Sequence, residues 1–459
     1  MFARPKRILI ALGAIAALAV PAFAQTTVSI TCRCVAGGVN DAEVQWLQKY
    51  VIPNFEQTMS DQGTPVKLTL NQFGGSDEAL KQQYALDLSV HKGYDVMAFD
   101  GFWIPEFASG GLLKPLETVG GSAVTAWDGW SHISQGIQDI MSYQGERYGI
   151  ANGTDVRMIF YRKDVLQKAG IANADSWQPH SWQDIVDTAQ KIKSAIPNSY
   201  PLQIDAGTNM GEATTLQGYY MLILGTGEQP FMNGKWVVKS PGILDTLNFY
   251  KQIYNDYQLG DARVQLVKDG RNQSFANFRD GVTSMLVESD WFYRSVTKPG
   301  SEFAVQNRDQ VMGWAKMPAE QPGKGIRGQD FVTASGGTGW VLNPNTANPQ
   351  LAWDLLAFMN GKPARDAFET YQPTISARDD VPVPNNPFLT TTAKTLLPLT
   401  VSRPNNDAYA KVSEQIQRMT ENVVSGQMTP QQAMDAYAAA VTQIVGADNT
   451  VDLTKSASN

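Results

Sequence analysis

Residues 66–100 read VKLTLNQFGGSDEALKQQYALDLSVHKGYDVMAFD. Val66, Leu68 and Leu70 alternate with polar residues, the period of a strand with one buried face. Gly74-Gly75 turns the chain. Ser76 is placed to cap a helix, and Asp77 and Glu78 fall in its first turn, where the helix dipole favours anions. Residues 94–99, YDVMAF, are strand-like again. Strand, helix and strand in so short a stretch predict a parallel pair with a crossover helix.

The same unit extends towards the N-terminus. Thr27–Cys34 is strand-like and ends in the turn Gly37-Gly38-Val39-Asn40. Asn40 or Asp41 can cap the next helix, whose apolar residues Val44, Leu47, Val51 and Phe55 follow helical spacing. Later segments repeat the alternation. Residues 148–161 look extended, and Ser181 opens an amphipathic helix with Trp182, Ile185, Val186, Ala189 and Ile192 on one face. Asn233-Gly234 between two apolar runs signals a hairpin. Met285-Leu286-Val287, Val311–Met317 and Thr338–Leu342 read as strands, and the last 60 residues or so as helices, with Pro430 at the first position of the final one. The expectation is an α/β chain with two sheets, as its 459 residues also require, since domains run roughly 100–200 residues.

The N-terminus reads as an export signal. Arg4, Lys6 and Arg7 precede an apolar run from Ile8 to Val20, and Ala22-Phe23-Ala24 fits a small-x-small cleavage pattern before Gln25. The run is too short for a membrane span, which needs roughly 20 apolar residues. Removing residues 1–24 takes the formal charge from −7 to −10. An acidic, exported, periplasmic protein is therefore expected. Acidity also argues against a nucleic-acid partner, which needs a basic surface.

Cys32 and Cys34 are the only cysteines. On a strand they share a face, but extended Cα atoms two apart lie near the outer limit for a bridge. A disulfide across a local kink and two buried thiols both remain open. A redox centre is less favoured, because only Arg33 stands near to lower a thiol pKa. Three dispersed histidines argue against a histidine-rich metal site. Gly323-x-Gly325-x-x-Gly328 has dinucleotide spacing but follows Pro322 and opens no helix, so it reads as a loop. No nucleophile-elbow, phosphate-loop or zinc-protease motif occurs. No cofactor is expected.

Several segments together resemble the bacterial extracellular solute-binding proteins of ABC importers, in the large sugar-binding, maltose-type group. They are Tyr94-Asp95-Val96, Trp103, Phe107-Ala108 with Gly111-Leu112-Leu113-x-Pro115-Leu116, Tyr148-Gly149-Ile150, and Phe160 through Gly170. Ser181-Trp182-Gln183-Asp184, Phe275-x-x-Phe278-Arg279-Asp280-Gly281 through Trp291, Gly336-Gly337-x-x-Trp340, Ala352 through Met359, and Ser425 through Ala433 continue the series in order. The chain departs from the family pattern at Ala151-Asn152-Gly153 and at Cys32-Arg33-Cys34.

The resemblance implies a two-lobed periplasmic-binding-protein fold with two or three crossing segments, near 154–158, 333–339 and 372–376. One lobe would hold residues 25–155 and 338–373, the other 158–334 and 376–459. It implies a monomeric receptor, not an enzyme, that captures a sugar or oligosaccharide by hinge closure and delivers it to an inner-membrane ABC permease. A polyol or phosphorylated metabolite on the same fold, and a periplasmic carbohydrate-active enzyme, are the alternatives. A sugar needs an aromatic face and buried polar partners for its hydroxyls. Polar and aromatic residues at strand ends supply the candidates: Asn40 and Asp41, Asp100 and Trp103, then Asn152, Asp155 and Arg157. Glu288, Asp290 and Trp291 follow, with Gly337 and Arg403. Trp291 matches the family's stacking tryptophan. Trp46, Trp182 and Trp353 read as core.

Overall fold

The computed structural model describes Met1, residues 26–383 and residues 385–458. The export-signal reading of residues 1–24 and the cleavage before Gln25 lie outside them, apart from Met1. Nine strands build the two principal sheets: β1 (Thr26–Cys32), β2 (Val66–Gln72), β3 (Val96–Asp100), β4 (Gly149–Ala151), β5 (Arg157–Arg162), β6 (Leu202–Gln203), β7 (Met285–Ser289), β8 (Met312–Ala315) and β9 (Thr338–Leu342). The first sheet has the order β2-β1-β3-β9-β4 and the second β8-β5-β7-β6. β1 runs parallel to both β2 and β3, in the βαβ arrangement that the opening stretch predicts. β9 is antiparallel to β3 and to β4. In the second sheet β5 is antiparallel to β7 and β8, while β6 is parallel to β7.

The local signals that place these elements are visible in the bonds. Ser76 Oγ accepts the Ala79 N–H, and Ser181 Oγ accepts that of Asp184. Thr429 and Gln432 form a reciprocal capping box around Pro430. Asn233 and Gly234 both have positive φ, as a tight hairpin turn between Phe231 and Trp236 requires. At the first helix the capping expectation differs from the structure. Asn40 is left-handed and its side chain caps nothing; its Nδ2 donates to the Arg33 carbonyl instead. Asp41 lies inside the helix, where its Oδ1 accepts the Gly37 N–H. The side chains thus hold the preceding loop rather than the helix end.

Each lobe has its own core. Val28, Ile30, Phe99, Trp340 and Leu355 pack in the first. In the second, β5 shows why its sequence is apolar without alternation. Ile159 and Tyr161 face one cluster with Ile185, Leu222 and Val441, while Met158 and Phe160 face another with Phe278 and Phe292. Successive side chains point to opposite faces, and here both faces are covered. Trp46, Trp182 and Trp353 are buried in these cores. Cys32 and Cys34 are joined by a disulfide and fully buried in the first lobe.

The first helix carries a misfit charge. Burial pushes the Glu43 carboxyl up to about 7, only partly opposed by Arg365. The unfolded chain releases this proton near pH 4.5, the folded chain near 7. Stability is therefore highest below the unfolded value and falls as pH rises between the two. We expect Glu43→Gln to melt near wild type at acid pH and higher at alkaline pH, by on the order of 2 kcal/mol. Melting curves across this range check it; parallel wild-type and variant profiles would contradict it.

Candidate ligand cleft

The two lobes meet where their strands end. The strand Phe331–Ser335 belongs with the second lobe, pairing with Met317–Pro318 and Thr400–Ser402, and β9 belongs to the first sheet. Gly336 and Gly337 carry the chain between them. Beside this passage Gly153–Thr154 pairs with Ile375–Ser376 as a two-stranded ribbon. A side chain at Gly336 would place its Cβ 2.9 Å from Arg403 Nη2, and at Gly337 2.8 Å from the Gly153 carbonyl. Backbone approach requires glycine at Gly337, whereas a side chain at Gly336 would have to displace the end of Arg403. Gly337 holds the passage, accepting the Gly101 N–H at its carbonyl.

Asp155 and Arg157 form an ion pair at this passage. Arg157 Nη1 donates to Asp155 Oδ1 at 2.7 Å and Nη2 to Oδ2 at 3.1 Å. Arg157 also donates to Gln217 and to the Ala334 carbonyl. Asp155 accepts the Gly336 N–H and the Ser289 hydroxyl. Burial raises the Asp155 carboxyl, but Arg157 and these donors hold it below its ordinary value. The pair is committed to the protein and locks the crossing segments together.

A second cation bridges the lobes. Arg403 Nη2 donates to Asp100 Oδ1 at 2.8 Å, and Asp100 ends β3 in the first lobe. Arg403 Nη1 donates to Glu212 at 3.3 Å on the second-lobe side. The guanidinium also lies 4.5 Å over the Phe102 ring. Tyr409 and Ser413 donate hydroxyls to Glu212. Burial pushes both Asp100 and Glu212 above their ordinary values, against the pull of Arg403. Nearby, Asn405 Nδ2 donates to the Ser142 carbonyl at 2.7 Å.

A third cation stands in the second lobe and is more exposed than Arg403. Arg271 Nη2 donates to Glu288 Oε1 at 2.7 Å, with its guanidinium 5.0 Å from the half-buried Trp291 ring. Across from it in the first lobe, Arg33 pairs with Asp77 at 3.2 Å. The Asp77 side chain is 55 % exposed, yet burial is the largest influence on its carboxyl, raising it. Arg33 and, more weakly, Arg271 oppose that rise.

The sequence candidates divide in this geometry. Asp100, Asp155, Arg157, Gly337 and Arg403 come together around the passage. Glu288 and Trp291 flank Arg271. Asp290 is fully buried and structural, accepting the Val156 N–H and the Arg294 Nε. Asn40 ends the loop after β1, and Asp41 is the first residue of the helix that follows. Asn152 accepts Ala377 N–H and Arg365 at its carbonyl, while its side-chain Oδ1 is buried without a partner. Trp103 is 3 % exposed and packed edge-on against Tyr84, Phe99 and Phe102, so its rings serve the core rather than a ligand. Sequence reading did not single out Asp77, Asp205, Glu212 or Arg271. Asp77 and Arg271 stand at helix starts, where they read as dipole partners or solvated charges.

A family model described as bacterial extracellular solute-binding protein matches residues 40–366. A mannitol-binding protein of Pseudomonas aeruginosa is 23% identical over 321 residues, 68% of this chain and 65% of its own length. A binding protein of Brucella abortus is 23% identical over 292 residues, covering 63% of this chain. The chain spans just under two thirds of the length of that relative, 64%. Among solved structures, an ABC transporter solute-binding protein of Thermotoga lettingae bound with alpha-D-tagatose superposes with a TM-score of 0.76. It is 23% identical and covers 92% of this chain and 100% of its own. A maltose-bound protein of T. maritima gives 0.73 at 19% identity, covering 92% and 100%. A solute-binding protein of Agrobacterium radiobacter in complex with ribitol gives 0.67 at 19%, covering 91% and 99%. At these identities the likeness is one of fold.

Proposed function

The chain belongs to the bacterial extracellular solute-binding proteins, and from that premise we propose that it is the periplasmic receptor of an ABC importer for a sugar or polyol. In this reading residues 25–155 with 338–373 form one lobe, and 158–334 with 376–459 the other. The solute sits between them, and the closed, monomeric receptor delivers it to an inner-membrane permease without chemical change. One observation carries the reading: charged and amide side chains from both lobes converge where strands end, with Asp100 of one lobe bonded to Arg403 of the other. Such a space matches the hydrogen-bonding needs of a polyhydroxy solute. The relatives and neighbours named for mannitol, tagatose, maltose and ribitol support the same class. No helix among the described residues is long and apolar enough to cross a membrane, which accords with a periplasmic receptor.

Closure follows from differential affinity: a solute that touches both lobes only when they are together shifts the equilibrium to the closed form. We expect one class in a panel of sugars, oligosaccharides, polyols and sugar phosphates to raise the melting temperature. At about 100-fold excess over the dissociation constant the gain is near 2.7 kcal/mol. Chromatography of the recovered solute should show it intact. Conversion of the solute would replace the receptor reading with an enzyme, and silence across the panel would remove the carbohydrate assignment.

A further inference from the structure

We infer that the outer edge of β8 is a docking site for an extended, acidic peptide segment of a partner protein, which adds a strand to the second sheet beside Trp314. None of the cleft residues described above lines this site, and the inference does not depend on the receptor reading. Its basis is a backbone position left open beside a groove that holds two unpaired cations.

β8 is the outermost strand of its sheet and pairs with β5. Arg162 donates its N–H to the Ser284 carbonyl on the β7 side. Backbone groups alternate in direction along a strand, so Tyr161 and Ile159 turn theirs to β8. Their partners there are Gly313 and Ala315. Trp314 and the following Lys316 therefore point their N–H and C=O away from β5. At Lys316 both groups are taken by one side chain: Gln178 Oε1 accepts the N–H and Gln178 Nε2 donates to the carbonyl, each at 3.0 Å. A primary amide thus stands where the peptide unit of a further strand would stand. At Trp314 no described residue takes that place.

The open position lines a groove of about 390 Å³. Trp177, from the cluster on one face of β5, and Tyr293 and Phe388, packed on the cluster of the other face, line it too. The Tyr293 and Phe388 rings stack at 4.2 Å. These rings offer apolar contact to the side chains that alternate along an added strand. Lys163 and Lys316 also line the groove, and neither has a carboxylate within ion-pair distance among the described residues. Lys316 Nζ lies 3.8 Å from the centre of the Phe331 ring instead. Asp175 is the one carboxylate of the lining, and it accepts from Gln167 at 3.2 Å. Two cations against one carboxylate favour an acidic occupant. A second copy of this chain, pairing edge to edge, would set these lysines against their own kind.

The test is selection of random hexapeptides, displayed on phage, against the full chain, with the enriched peptides then synthesised and titrated by fluorescence anisotropy. We expect sequences in which apolar residues alternate and at least one carboxylate is present. Lys163→Glu and Lys316→Glu, both at part-exposed positions, should each weaken binding about tenfold, and the effect should shrink at high salt. A bound peptide should slow hydrogen exchange at the Trp314 amide. N-methylation of alternate peptide residues should abolish binding in one register and spare it in the other, since only every second residue of an added strand bonds to the edge. This last comparison leaves the protein unchanged, so it stands even where a lysine variant folds poorly. No enrichment, enrichment of basic peptides, or unchanged Trp314 exchange with peptide bound overturns the inference. A dimer in sedimentation that protects the same amide gives the edge to a second copy and overturns it as well.

Discussion

Replacing Arg403 with methionine is expected to separate the two lobes. The guanidinium is bonded to Asp100 on one lobe and to Glu212 on the other, and its side chain is almost fully buried. Burial opposes its charge, but Asp100 and Glu212 together raise its pKa. Methionine keeps the stem that lies over Phe102 and removes the charge. Two carboxylates already raised by burial then face each other without a cation. Opening hydrates Asp100, so the closed form should lose about 2 kcal/mol, roughly a thirtyfold shift towards open molecules. Glu212 keeps Tyr409 and Ser413 as donors, which limits the damage within its own lobe.

The pH dependence has a definite sign. Asp100 and Glu212 both have raised folded values. Below their ordinary range both are neutral and Arg403 has little to compensate, so variant and wild type converge. As pH rises through the raised values the carboxylates ionise, and the variant falls behind. Small-angle scattering should give a larger radius of gyration for the variant at neutral pH than at acid pH. Identical scattering of the two proteins at neutral pH would refute the bridge as a closing element.

The second large effect concerns Arg157. Its backbone N–H donates to Thr333 Oγ1, and its guanidinium ties Asp155, Gln217 and the Ala334 carbonyl together. These partners come from two crossing segments and a helix. Arg157→Met leaves Asp155 enclosed with the Gly336 N–H and the Ser289 hydroxyl as its remaining donors. Removing one partner of a buried ion pair costs about 3–5 kcal/mol. The folded value of Asp155 is depressed, so the pair stabilises above the unfolded value of 3.8 and its contribution fades as pH falls through the folded one. Denaturant unfolding should therefore show a deficit at neutral pH that narrows in acid. Adding Asp155→Asn to the variant should restore part of the stability, because the stranded charge is gone. A variant with wild-type stability at neutral pH would remove Arg157 from this role.

The contrast between Trp103 and Arg271 explains which site residues were legible. Trp103 follows a strand end, the position from which a ligand is met in open sheets. Its ring nevertheless turns inward to Tyr84 and Phe99, a choice made by packing volume and not by position along the chain. Arg271 lies 17 residues from Glu288 and gives no local sign of their pairing. Glu212 and Arg403 are 191 residues apart, and Asp100 and Arg403 303. Each side chain taken alone is an ordinary surface charge. Asp290 and Trp291 show the opposite case of neighbours with separate fates: Asp290 caps its own lobe's hydrogen bonds, while Trp291 stays half-buried beside Arg271.

The periodic part of the molecule is legible along the chain: the βαβ opening, the capped helices at Ser76 and Ser181, the Asn233-Gly234 hairpin, and the apolar runs of β5 and β7. These depend on neighbours within a few residues, through alternation, capping and turn chemistry, so they are written locally. Tertiary structure alone decided which charges meet. It placed Asp100 against Arg403, set Asp155 under Gly336, paired Asp77 with Arg33, and left Asp205 without a partner for one oxygen. Burial and Coulomb interaction depend on distance in space and on the surrounding dielectric, and neither can be read from separation along the chain.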